Sequence, residues 1–351
     1  MRAVGTRRPG SSLRDTRGGA LVEYVIVVGT IAVFAVAAAG RLGGVVEAKV
    51  RCYASLVAGS EGCPGHGLAE PAAPAPSVDA PPAAGTGSSN PSLEHWGGTH
   101  TPIPGTPFVQ GPGDPAPVHG SDVTQGSMAD CYLLSPLGAL AMQDPSSIEE
   151  LIRDNGDGTY TITFREPNPH DWWAFWEPPY REHPVVVTPE FATSEGEPTF
   201  AKPGDRSADG AELWVMLIEK GYAQHRGGYD AIGNSGPPQE ALEALTGQES
   251  IFLQSRYDSL ARVVEELAAG HALVSSSLGA EEARANPLFT EGVRGNPPLV
   301  ASHAYYVTAA DPVSGTITLQ NPHGWDDEGI TLTWDEYVSA FPWTTYNPID
   351  A

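Results

Sequence analysis

The sequence is short of cysteine and of positive charge. Three cysteines in 351 residues are too few for a disulfide-built scaffold. Only 19 Lys and Arg stand against 43 Asp and Glu, a formal net charge of −24. Phosphate contacts need a basic face, so the balance argues against a nucleic-acid partner. Long apolar runs are also scarce, with one exception at residues 20–40. Glycine and proline are plentiful, at 40 and 33 residues, and charged residues make 18% of the chain. That composition fits a globular protein carrying low-complexity stretches. The length allows about two domains, or one large domain with appendages.

The charge is unevenly placed. Residues 1–51 hold eight basic and three acidic side chains, a net +5, and the remainder carries −29. Residues 1–18 read as a basic leader, and residues 19–41 as a transmembrane or pilin-like helix containing the apolar run ALVEYVIVVGTIAVFAVAAAG. Twenty or so apolar residues span a bilayer as a helix. The cationic leader predicts a cytoplasmic N-terminus, with the rest of the chain outside, membrane-anchored or secreted. A plain signal anchor, or signal-peptidase cleavage near Ala37–Ala39, is the simpler account. The string RDTRGGALVEYVIVV also resembles the N-terminus of Flp-type and TadE-like pilins. Cleavage after Gly18 would put Glu23 and Tyr24 at the fifth and sixth mature positions. That resemblance implies a pilin or prepilin-peptidase partner and gives Glu23, a costly carboxylate at a membrane edge, a purpose.

Residues 42–63 form a juxtamembrane segment. Residues 64–118 are rich in Pro, Gly and Ala and predict a disordered linker, extended where Pro dominates and flexible where Gly and Ser do. Cys52 and Cys63 lie on its near side. Outside the cytoplasm a disulfide would close their small loop; otherwise they stay unpaired.

From residue 119 to 351 the pattern is that of a folded head. Helices are expected at Cys131–Met142, Glu212–His225, Gln239–Gly247 and Leu260–Gly270. Strands are expected at Tyr160–Phe164, Pro184–Thr188, Ala304–Ala310 and Thr316–Gln320, the last two joined by the turn DPVSG. Helices early and antiparallel strands late predict an α+β fold.

Three strings carry chemistry. In QGSMADCYLL, Cys131 opens an apolar helix and Gln125 stands six residues before it. A helix N-terminus favours a thiolate, which predicts a lowered thiol pKa, and the Gln amide is suited to donate to a developing oxyanion. A lone Cys on an apolar helix is otherwise an inert core residue. In SHAYYV, His303 begins a strand; in LQNPHGW, Asn321 ends the next strand of the same hairpin. The hairpin makes His303 and Asn321 neighbours, and an Asn that accepts from one imidazole nitrogen fixes the tautomer.

The chain from about Asp122 to Phe341 resembles the calpain-type, papain-fold cysteine peptidases. The resemblance runs through Gln125-Gly126, Asp130-Cys131, GAELWVMLIEKGYAQHRGGYDAI, EALEALTG, His303-Ala304-Tyr305, Asn321-Pro322, Gly324 and TWDEYVSAF. It implies Cys131 as nucleophile, His303 as general base and acid, Asn321 as its orienter, Gln125 as an oxyanion donor, and a protein or peptide substrate. The chain departs from the family pattern at Ala129 (usually Gly), Tyr132 (usually Trp) and His323 (usually a Trp that shields the His–Asn bond). Trp325 and Trp334 are candidates to replace that shield. No cofactor is needed for the chemistry. Ca2+ is possible, and the resemblance implies that it would bind the protease core, as the family's core does; no EF-hand pattern is present, and Asp326, Asp327 and Glu328 read either as a solvated acidic loop or as cation ligands. The reading is an exported calpain-like cysteine endopeptidase. Its alternatives are a non-catalytic papain-fold binding or adhesin module on a pilin-like anchor, and acyl transfer to amines by the same triad.

Overall fold

A computed structural model describes residues 90–168, 178–294, 296–324 and 329–349. The leader, the expected membrane or pilin-like helix, Cys52, Cys63, Trp325 and the acidic run Asp326–Glu328 lie outside the described residues. Among the described residues, no helix is long and apolar enough to cross a membrane.

The first half is built around α1 (Cys131–Gln143). Every residue from Cys131 to Ala141 is buried. A helix apolar on all sides belongs inside a core, and here α3 (Trp214–Arg226) and α4 (Pro238–Thr246) pack against it. Both of these stop at left-handed glycines, Gly227 and Gly247, the second as the sequence pattern anticipates. A short helix α2 (Pro145–Leu151) leads into an antiparallel sheet of β2 (Ile152–Asp154), β3 (Tyr160–Pro167) and β4 (Tyr180–Val187). The PVVVT strand expected at Pro184–Thr188 is the end of β4.

The second half is a six-stranded antiparallel sheet. Its strands are β6 (Ile251–Gln254), β7 (Ala272–Ser276), β8 (Ala304–Asp311), β9 (Thr316–Gln320), β10 (Ile330–Thr333) and β11 (Trp343–Asn347), in the order β6-β11-β7-β8-β9-β10. Alternation along β8 divides the cores. Ala304 and Tyr306 face the helical half, while Tyr305 and Val307 join a second core with Val263 of α5 (Leu260–Ala268) and Tyr337 of α6 (Trp334–Ala340). The halves meet closely where Gly138 of α1 lies on the Tyr306 ring. A Cβ there would stand 2.6 Å from a ring carbon, so only glycine fits. Ser135 Oγ donates to the Ala304 carbonyl at 2.8 Å across the same contact. The mixed helix and sheet content agrees with the α+β expectation.

The linker expectation needs correction over its second part. Residues 90–118 were expected to be disordered, yet β1 (Thr99–Pro102) pairs antiparallel with β5 (Glu190–Ser194). Val109 and Val118 are buried, and Trp96 donates to Asp230 at 2.8 Å. Proline and glycine density conceals this docking, because only a few apolar anchors are needed to hold an extended segment to an existing surface.

Candidate active site

Cys131 is the first residue of α1 and is 6% exposed. The peptide N–H of Ala304, the residue after His303, favours its thiolate, but burial dominates and pushes the thiol pKa up, with the neighbouring Asp130 adding to the rise. The lowered value expected from the helix start is therefore reversed. A helix terminus acts over one turn, whereas the loss of water acts on the whole ion.

His303 is 7% exposed and is held mainly through its backbone. Its N–H donates to Ser277 Oγ at 3.0 Å, and its carbonyl accepts from Ser277 N at 2.9 Å. Its Nε2 lies 2.9 Å from Asn321 Oδ1. The His323 peptide N–H donates to the same Asn321 atom at 3.1 Å, which identifies that atom as the amide oxygen. Nε2 therefore carries the imidazole proton, and Nδ1 is the nitrogen able to accept one. Burial lowers the His303 pKa to about 4; the Asn321 bond opposes this and the nearby His323 reinforces it. In this arrangement thiol and imidazole both rest neutral.

His323 stands where a shielding Trp was expected, and it stacks face to face on His303, with ring centroids 5.0 Å apart and planes 6° from parallel. Trp334 does not replace that Trp. It stacks on Tyr337 in the second core.

Gln125 is buried beside the cysteine, but its amide is occupied. Nε2 donates to the Met128 carbonyl at 2.7 Å and to Asp130 Oδ1 at 3.1 Å, which uses both N–H bonds, while Oε1 is buried with no partner. The expected oxyanion donor is thus turned inward. Asp130, fully buried, is itself braced by Glu219 of α3. Burial raises Asp130 to about 6 and Glu219 well above its ordinary range, so the Glu219 carboxyl keeps its proton and shares it with Asp130. The Ala201 N–H donates to the Glu219 carboxyl at 3.0 and 3.1 Å. The Gln125 backbone also reaches the other half of the site: its N–H donates to the Pro322 carbonyl at 2.7 Å, next to Asn321.

A second group was invisible in the sequence because its members are far apart along the chain. Asp114, Asp122 and Asp205 bring carboxylate oxygens within 4.8 Å of one another, and Glu212 adjoins Asp122. The Glu212 Oε2 is buried without a hydrogen-bond partner. Burial and the Asp122 charge raise Glu212 to about 9, and burial raises Asp122 to about 6. An oxygen-only, under-neutralised cluster of this kind suits Ca2+ better than any nitrogen-seeking metal.

The sequence profile described as "Calpain family cysteine protease" matches residues 115–339, more than half of the chain. The calpain-2 catalytic subunit of Gallus gallus is 29% identical over 226 residues, covering 62% of this chain and 29% of that protein. The Homo sapiens calpain-2 catalytic subunit is 27% identical over 241 residues, with 65% and 31% covered. A calpain-type cysteine protease of Zea mays, DEK1, is 29% identical over 243 residues, with 66% and 10% covered. The chain thus spans under a third of the length of these relatives.

Proposed function

This chain belongs to the calpain family of cysteine proteases, and from that premise we propose that residues 90–349 form a cysteine endopeptidase working through Cys131, His303 and Asn321. The observation that carries the reading is the 2.9 Å bond from His303 Nε2 to Asn321 Oδ1, with Cys131 set at a helix start against the Ala304 peptide. His303 Nδ1 takes the thiol proton, and the thiolate attacks a substrate carbonyl. The Cys131 N–H and a reoriented Gln125 amide stabilise the oxyanion. His303 then protonates the leaving amine, and water releases the acyl group from sulfur. Incubating the full chain with an electrophilic cysteine-protease probe and a peptide library tests this. Labelling and turnover are expected, and both vanish in Cys131→Ala; persistent labelling of that variant would sink the assignment.

Asp114, Asp122, Asp205 and Glu212 would hold Ca2+. The ion would supply the positive charge that lets these carboxylates ionise together, three residues from Gln125 at Asp122. The occupied Gln125 amide also supports a second reading, a papain-fold binding module without turnover. Peptide hydrolysis with and without Ca2+ separates the two. Export and tethering are part of the proposal. Their support is the charge partition and the apolar run at 20–40, and N-terminal sequencing of the mature protein checks them. A start at Gly19 fits pilin-type processing, and an intact Met1 or a start near Gly40 rules it out.

A further inference from the structure

Away from the catalytic groups, three side chains converge where the β3–β4 hairpin meets the end of α3. Glu166 and His183 share one face of the hairpin, because Phe164 pairs with His183 and Glu166 with Arg181 in the strand register. His225 comes from the last turn of α3. Glu166 Oε1 lies 3.1 Å from His183 Nδ1 and 3.6 Å from His225 Nδ1, and one ligand atom from each residue falls within 4.8 Å of the others.

The His225 side chain is 6% exposed, and its Nδ1 is buried with no hydrogen-bond partner. A buried imidazole nitrogen left unsatisfied costs free energy unless something fills the position. Phe164 stacks on the ring at 5.1 Å and 15°, so the imidazole is held in place. Of the neighbouring guanidinium groups, Arg165 pairs with Glu182 at 3.4 Å and Arg226 with Glu240 at 2.7 Å, while Arg181 holds the second Glu166 oxygen, Oε2, at 3.2 Å and leaves Oε1 to the imidazoles. Glu166 and His225 also line an open surface cleft, where Glu240 and Glu243 stand beside Arg165 and Arg226, and through it the site is reached from solvent.

We propose that Glu166, His183 and His225 form a binding site for a divalent d-block cation of the Zn2+ class, with its fourth position open to the cleft. Two imidazoles and one carboxylate are a nitrogen-rich set that Ca2+ and Mg2+ do not select. Bonds of about 2.0–2.1 Å in a tetrahedron put ligand atoms roughly 3.3 Å apart, close to the two separations found here. A bound ion pins the hairpin to α3, the helix that also carries Glu219.

The test uses the full chain carrying Cys131→Ala, Cys52→Ser and Cys63→Ser, so that no thiol competes, with Ca2+ saturating the acidic cluster. Zn2+ is titrated by calorimetry and Co2+ by visible absorption. The expected results are one Zn2+ bound, tetrahedral Co2+ bands, and a rise in melting temperature with Zn2+. His183→Ala, at a half-exposed position that leaves the fold intact, and Glu166→Gln should each weaken Zn2+ by about ten-fold or more. His225→Ala should abolish the Co2+ bands. Absence of Zn2+ binding by the parent, or an unchanged isotherm and spectrum in His183→Ala, would overturn the proposal.

Discussion

The two halves of the candidate active site are in different states of readiness. On the sheet side, His303 and Asn321 already make their bond, and Ser277 and the His323 peptide hold them in place. On the helical side, the Cys131 thiol is held neutral by burial, and the Gln125 amide is spent on Met128 and Asp130. The difference follows from what each half is made of. Strand ends present main-chain donors and acceptors that fix side chains without charge. The helical side instead packs carboxyls where water is absent, and they must share protons or find a cation.

The largest expected effect breaks the ready half. His303→Ala should lower kcat/KM for a peptide substrate by about four orders of magnitude. Gln125→Ala probes the unready half. If the amide turns outward during turnover, kcat falls roughly 100-fold with KM little changed. An unaltered kcat would mean the amide never leaves Asp130. Third, paired Asp114→Asn and Asp205→Asn, both near the surface, should remove the rise in melting temperature that Ca2+ gives the parent, and chelation of the parent should reproduce that loss.

The fourth expectation concerns pH. Asp130 and Glu219 both titrate higher in the folded protein than their ordinary values of 3.8 and 4.5. Their contribution to stability is therefore present at low pH and is lost as pH rises, for Asp130 between 3.8 and about 6 and for Glu219 from 4.5 upward. Glu219→Gln keeps an acceptor for Ala201 N and a donor for Asp130, and it cannot ionise. Thermal melts should show this variant less sensitive to alkali, with a melting temperature about 2–4 °C above the parent at pH 8. A parallel pair of curves would remove the shared proton. The smallest effect is at His323. His323→Trp deletes a group that lowers the His303 pKa, so the acidic limb of the pH–rate profile should move upward.

Legibility in the sequence followed the same division. His303 and Asn321 could be paired from a five-residue turn, because a hairpin converts spacing into contact. Cys131 could be placed at a helix start, but its ionisation could not, since that depends on burial by residues distant in the chain. The occupation of Gln125 needs Asp130 and Glu219, 89 positions apart by their numbering, to share one proton. Asp114, Asp122, Asp205 and Glu212 have no common spacing at all. His323 looked like a lost shield, and only the stacking geometry makes it a ring that covers the same neighbour with a titratable surface.

The bond from Gln125 N to the Pro322 carbonyl joins peptide to peptide. A substitution scan reads side chains, so nearly every replacement at either position keeps this strap, and the scan would score it as nothing. Proline at 125 would remove the donor, and so would an ester in place of that amide. Comparing Gln125→Pro with Gln125→Ala therefore separates two jobs of one residue, the amide proposed to meet the oxyanion and the backbone that ties the helical side of the site to the sheet side.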